Sequence, residues 1–236
     1  MRILRPTGTY LSRKIKLNLG LAAFNFTVFV MIFMTQIRFL PTYIDVSPYE
    51  GARALFMLIP AFMALQYYRQ YRNYKLGFEG ENQVTKVLNY SFDDNYYLIN
   101  DIKIPDVKGN IDHIVLAPNG VFVIETKNYR GDITCHGDHW SGKNWVKRTS
   151  PSKQARINAF TVKNLIESLE DFYVAHIWVQ PIVVFTNYDV RLHIFDPTAK
   201  ILMIHELPRY LSEENNGCFS AKNQAQIGKE IIKHVY

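Results

Sequence analysis

Two long apolar runs come first in the chain, and a finer alternation of apolar and polar positions follows them. No charged residue lies between Lys16 and Arg38, and the core of that run, Leu19–Thr35, is polar only at Asn25, Thr27 and Thr35. A helix over about 21 residues spans roughly 30 Å, the thickness of a bilayer core. A second uncharged run, Ala54–Tyr68, predicts a shorter helix of roughly 22 Å. It crosses if Arg53 and Arg69 carry their charged ends out to the headgroups, and transmembrane helices tolerate a proline such as Pro60. The expectation is two transmembrane helices, about 17–37 and 52–68, with a re-entrant or interfacial second segment as the alternative. The first run is too long for a signal-peptide apolar region, and no small-residue cleavage site follows it.

From Gly77 onward the pattern is that of a globular domain. Phe78–Ser91 reads as a helix with Val84, Val87 and Leu88 on one stripe. Asn95–Pro105 reads as extended. Asn110–Ala117 and Val121–Lys127, separated by Pro118-Asn119-Gly120, give the clearest signal, because Asn-Gly between β-branched runs favours a hairpin. Gly131–Lys147 is loop-rich with short strands. A helix follows Pro151 to about Asp171, then a buried strand Ile177–Thr186 interrupted at Pro181, a strand Ala199–His205, and closing helices Leu207–Ser212 and Ala221–Tyr236. Helices around a mixed sheet predict an α/β sandwich.

Charge sharpens the division. Of the 27 Lys and Arg, ten fall in residues 1–75 against only Asp45 and Glu50, so that part carries +8 and residues 76–236 carry −2. The basic balance therefore belongs to the N-terminal third. Arg2, Arg5, Arg13, Lys14 and Lys16 precede the first run, and Arg69, Arg72 and Lys75 follow the second. By the positive-inside rule both ends face the cytoplasm. Tyr43 and Tyr49 suit one interface, and Tyr67, Tyr68, Tyr71 and Tyr74 the other. A hydrophobic share of 48% excludes a disordered chain, and two Cys in 236 residues exclude a disulfide scaffold. The domain boundaries expected are 1–75 for the membrane anchor and 76–236 for the globular part, with its core at about 77–186.

The hairpin is where chemistry concentrates. With Asn119-Gly120 as a two-residue loop, Asp112 falls opposite Lys127 and Ile114 opposite Glu125. Side chains alternate along a strand, so Asp112, Glu125 and Lys127 share one face and His113 and Thr126 the other. Asp112 and Glu125 are then diagonal neighbours, with Cα atoms roughly 7–8 Å apart. Two carboxylates at that spacing can reach one hard cation. A structural ion pair of Lys127 with Asp112 or Glu125 is the competing reading.

A carboxylate followed by Glu-x-Lys on a hairpin resembles the PD-(D/E)xK nuclease core. Gly77–Glu81 (GFEGE), Asn110–Ile133 (NIDHIVLAPNGVFVIETKNYRGDI) and Ser150–Gln154 (SPSKQ) are similar, in family order, to the nuclease-related domain known as NERD. The resemblance covers about Gly77–Thr186. It implies a PD-(D/E)xK-like mixed β-sheet flanked by helices and a Mg²⁺-dependent site, with Mn²⁺ as the substitute ion. Asp112 and Glu125 become metal ligands, Glu81 the acidic helix residue acting through water or a second metal, Lys127 the catalytic lysine and Gln154 the helix glutamine. The departure is Ser150-Pro151, where Asn-Pro is more usual.

Lys143, Lys147, Arg148, Lys153 and Arg156, with Trp140 and Trp145 among them, form a candidate phosphate-contacting patch with rings for stacking. The bland reading is a solvated charged loop. Cys135, His136 and His139 lack the paired spacing of a zinc site. The expected function is a membrane-anchored nuclease acting on nucleic acid, DNA favoured, held in the bilayer by its N-terminal hairpin. The rival is a membrane-tethered nucleic-acid-binding or scaffold protein whose fold does no chemistry.

Overall fold

In a computed structural model of the chain, residues 1–38, 48–104, 109–142, 145–146, 150–169, 177–214 and 221–233 are described. In chain order the elements are β1 (Arg2–Arg5), α1 (Thr9–Arg38), α2 (Pro48–Ser91), β2 (Tyr97–Ile102), β3 (Ile111–Ala117), β4 (Gly120–Lys127), β5 (Gly131–His136), β6 (His139–Gly142), β7 (Trp145–Val146), α3 (Pro151–Glu167), β8 (Val179–Phe185), β9 (Val190–Phe195), β10 (Lys200–Met203), α4 (Leu207–Glu213) and α5 (Ala221–Lys233). They form two compact units, Met1–Thr9 with Glu79–Tyr236, and Tyr10–Phe78.

The first unit is built on a mixed sheet in the order β1-β2-β3-β4-β8-β10, with a smaller sheet β7-β6-β5-β9. The central strands are apolar on both faces, and strand alternation sorts them into two layers. Ile114, Leu116, Val121 and Val123 pack with Ala159, Val162 and Ile166 of α3 and Ile227 and Ile231 of α5. Val115, Ala117, Phe122 and Ile124 pack on the other face with Val84 and Leu88 of α2 and Leu207 and Leu211 of α4. The result is the helix-flanked mixed sheet expected from the pattern. Pro181 is tolerated within β8 because β10 pairs only from Ile182 onward, leaving β8 one neighbour at that point.

Three assignments change. Met1–Arg5 had been placed in the 1–75 anchor. Instead β1 pairs in parallel with β2, Arg2 beside Tyr97 and Ile3 beside Leu98. The helix expected at Phe78–Ser91 is the end of a 44-residue α2, which runs through both Pro60 and Gly77. The hairpin loop is Pro118-Asn119 rather than Asn119-Gly120, since Ala117 lies opposite Gly120. Proline is favoured at the first central position of a turn, and the Asn119 amide donates to the Leu211 carbonyl at 2.7 Å, which ties the turn to α4.

Gly80 sets how closely α2 approaches the sheet. A Cβ there meets Thr186 Oγ1 at 3.0 Å, Asn128 Cβ at 3.2 Å and Thr126 Cγ2 at 3.3 Å. Gly80→Ala gains about 1 kcal/mol of helix propensity but forces an overpacked contact costing about 1–3 kcal/mol. The expected outcome is a small net loss of stability in thermal melts. A melting temperature above the parent's shows that the contact relaxes freely.

In the second unit, Thr9–Thr35 is long and apolar enough to cross a membrane, with a mean hydropathy of 1.9, and it is the one such helix among the described residues. The expectation of a second span near 52–68 has no such support. Both α1 and α2 nevertheless expose large apolar side chains in this unit, including Phe24, Met31 and Met34 on one and Phe56, Leu58 and Phe62 on the other. Tyr43 lies outside the described residues, and so does the side chain of Tyr49.

Candidate active site

The site lies where β3 and β4 run out of regular pairing. The observed register pairs His113 with Ile124, and carried one residue further it sets Asp112 opposite Glu125 rather than diagonal to it. The slip leaves the faces unchanged, because it moves every pairing by two residues. Asp112 Oδ2 accepts the Thr126 N–H at 2.7 Å, which replaces a ladder bond with a side-chain bond. Lys127 Nζ donates to Glu125 Oε1 in a tight ion pair, with the Glu125 side chain 2% exposed and Lys127 13%. Asn158 of α3 donates to the other oxygen, Glu125 Oε2, at 3.3 Å. Both oxygens of this buried carboxylate are thus engaged, as burial of a charge requires.

His113 sits on the opposite face. Its Nδ1 is 2.7 Å from Asn100 Oδ1 and its Nε2 3.1 Å from Thr126 Oγ1. Burial lowers its pKa to about 3, against a weaker upward pull from Asp101, so the ring is neutral. It is a satisfied core histidine.

Glu81 follows Gly80 on α2, and its electrostatics tie it to the hairpin. Burial, and after it the charges of Asp112, Asp101 and Glu125, push its carboxyl up to about 9, with Lys127 opposing. Burial and then Glu125 raise Asp112 well above the usual carboxylate range, while Lys127 and the Thr126 N–H pull the other way. Burial works against the Lys127 ammonium, but Glu125, Tyr129 and Asp112 outweigh it, so Lys127 holds its proton more firmly than an ordinary lysine. These opposed shifts describe acids that cannot all ionise together unless positive charge is added.

The sequence reading omitted Asp101. It lies on β2 between Asn100 and Ile102, which pair with His113 and Ile111 of β3, takes a positive φ of 52°, and accepts from Asn110 Nδ2 at 2.7 Å and Thr9 Oγ1 at 2.5 Å. Positive φ outside glycine is uncommon, and such strain clusters at functional sites. Asn158 was omitted too. Its signal is its place one helical turn beyond Gln154. Gln154 itself lies in the first turn of α3, its N–H bonded to the Ser150 carbonyl, while Ser150 caps the helix by accepting from the Lys153 N–H.

The grouping is looser than a finished metal cage. Among the described residues no three His, Cys, Asp or Glu side chains are placed to hold one ion. The acidic groups offer oxygen donors alone, the chemistry that suits Mg²⁺ or Mn²⁺, and the positive charge beside Glu125 is the Lys127 ammonium.

The basic patch divides. Lys143, Lys147, Arg148 and the side chain of Trp145 lie outside the described residues. Lys153 is exposed, and Arg156 pairs with Asp138. Trp140 is not available for stacking on a ligand. It is 1% exposed, stacks on Phe185 and donates to Ser152 Oγ at 3.1 Å. Strand alternation in β5 and β6 turns it inward with Ile133 and Cys135.

Residues 76–186 match the family described as NERD, nuclease-related domain, and the matched stretch includes Glu81, Asp112, Glu125, Lys127 and Gln154. An uncharacterized protein of Bacillus anthracis is 42% identical over 60 residues, which are 24% of this chain and 28% of that protein. No solved structure matches.

Proposed function

We propose that the chain is a membrane-anchored, metal-dependent nuclease whose active site is the Asp112–Glu125–Lys127 corner of the hairpin. The observation that carries the reading is Asp112 bonded to the Thr126 N–H beside Glu125, with Lys127 on Glu125 and with Glu81 raised by burial and by Asp112 and Glu125 against the pull of Lys127, inside the nuclease-related match. Asp112 and Glu125 would hold Mg²⁺ or Mn²⁺, with Glu81 reaching it through water. When bound, the ion polarises a phosphoryl oxygen and makes its water more acidic. Asn158 keeps Glu125 oriented while Lys127 leaves it. The Lys127 ammonium then faces the charge that develops on the phosphate, and Gln154 orients that phosphate or Lys127. Glu81 would exchange a proton with the attacking water.

The test is cleavage of labelled DNA and RNA oligonucleotides by the full chain in lipid nanodiscs, with Mg²⁺, Mn²⁺ or EDTA. Metal-dependent cleavage that EDTA abolishes is expected, with DNA the better substrate. Binding without cleavage under every metal condition hands the protein to the non-catalytic reading.

The anchor would be α1, with α2 as the return crossing. β1 precedes α1 and pairs with β2, so a crossing by α1 would call for a return by α2. The flanking Lys and Arg favour a cytoplasmic side for both ends. A reporter active only outside the cytoplasm, fused after Tyr236, should stay silent, and strong activity there refutes the topology.

A further inference from the structure

A cleft of about 590 Å³ lies beside the candidate active site and belongs to none of the residues assigned above except Arg156. Its walls come from α3, from the start of β8, and from the stretch joining β9 to β10. Two large rings stand in it unburied, Trp178 at 57% and Phe160 at 63% exposure. Among the described residues its cations are Arg156, Lys163 and Lys200 and no acidic side chain lines it, although Asp138 at its rim bonds Arg156 and Thr198. Gln180 adds an amide, held by the Trp178 indole N–H donating to Gln180 Oε1 at 2.8 Å, which fixes the ring's orientation.

The position relates the cleft to the chemistry. Glu125 lies beside Val183 in the parallel β4–β8 pair, and Pro181 and Gln180 come two and three residues earlier on β8. At about 3.3 Å per residue that is roughly 7–10 Å along the strand. α3 joins the two places, since Asn158 reaches Glu125 while its neighbour Ala159 lines the cleft.

Exposed rings and a cationic rim, with no acid among the described lining residues, form a combination that recognises nucleic acid in a particular state. A base can stack on Trp178 only if it is unpaired and unstacked, and successive phosphates then meet the cations. Arg156 pairs with Asp138, and Lys163 with Glu167 at 3.6 Å. Both are exposed pairs, which are worth little and yield to a phosphate. Lys200 Nζ lies over the Tyr210 ring, 4.8 Å from its centroid, on an exposed side chain. An apolar protein surface would leave this charge unmatched.

We infer that the Trp178–Phe160 cleft binds a single-stranded stretch of nucleic acid next to the scissile site, making unpaired strands the preferred substrate. This rests on the nuclease reading and adds the strand state that the reading leaves open.

The experiment uses the full chain in nanodiscs, fluorescein-labelled oligo-dT and a blunt duplex of equal length, in EDTA so that nothing is cleaved. Anisotropy should show oligo-dT binding more tightly than the duplex. Trp178→Ala should weaken oligo-dT binding about tenfold or more with little change for the duplex, and Trp178→Phe should retain most of it. Lys163→Ala should weaken both and lower the salt dependence. Equal oligo-dT affinity for Trp178→Ala and the parent overturns the proposal, as does a parent that binds only duplex or only another protein. Glu125→Gln separates the two ideas. If the parent never cleaves yet binds oligo-dT through Trp178, the catalytic reading fails and the cleft stands. If the parent cleaves in a Glu125-dependent way while Trp178→Ala is silent in both assays, the cleft fails and catalysis stands.

Discussion

Glu125→Ala is expected to abolish metal-dependent cleavage, by at least about 100-fold, and to destabilise the domain at the same time. The two losses have different causes. Cleavage falls because a metal oxygen donor is gone. Stability falls because Lys127, 13% exposed, is left without the carboxylate that holds it. Breaking a buried pair by removing one partner costs about 3–5 kcal/mol, or roughly 6–20 °C in melting temperature for a domain of this size. Asn158 also loses its acceptor. The double variant Glu125→Ala/Lys127→Met separates the effects, because an apolar chain of similar length suits the site once both charges are removed. It should recover much of the stability and none of the activity. Lys127→Ala alone should keep metal affinity by calorimetry while losing most cleavage, the mark of a group that acts on the transition state. Parent-like cleavage by Lys127→Ala would make the lysine structural.

The hairpin was legible because parity is robust. A two-residue change in pairing moved Asp112 from diagonal to opposite without turning any side chain to the other face. Pro118 was the signal for the true loop, outweighed in the sequence reading by the familiar Asn-Gly pair. β1 was not legible, since Arg2–Arg5 is too short to show a period and sits beside an apolar run that dominates its surroundings. The continuity of α2 was hidden by Gly77, yet one glycine costs only about 1 kcal/mol in a helix, and good helix formers flank it. Trp140 was misread because basic neighbours suggest nucleic acid, whereas its position in β6 buries it. Trp178, passed over as part of a buried strand, is the exposed ring, because it lies just before the regular part of β8. Asp101 could not be read from local pattern at all, for its role depends on β2 pairing with β3.

In EDTA the protein is expected to lose thermal stability as the pH rises from 7 to 9, and bound Mg²⁺ is expected to oppose that loss. Glu81 titrates near 9 in the folded chain against an ordinary value of 4.5, and Asp112 is raised in the same direction. In this window the folded state keeps protons that the unfolded state has released. Stability is therefore full below about 4.5 and falls as the pH climbs through 9. His113 works the other way, with a folded pKa near 3, so its contribution is lost only as the pH drops below 6.5. The interval from 7 to 9 thus isolates the carboxyl cluster. Glu81→Gln, which mimics the protonated acid, should flatten the slope in EDTA. Mg²⁺ requires ionised carboxylates, so its affinity should rise with pH, and binding at pH 7 should release protons. Calorimetry in two buffers of different ionisation enthalpy counts those protons. A parent protein whose melting temperature is flat from 7 to 9 in EDTA, and which releases no protons on adding Mg²⁺, has its carboxyls already ionised. Lys127 would then be a sufficient counter-charge, and the corner of the hairpin would be an ion-pair network rather than a metal site.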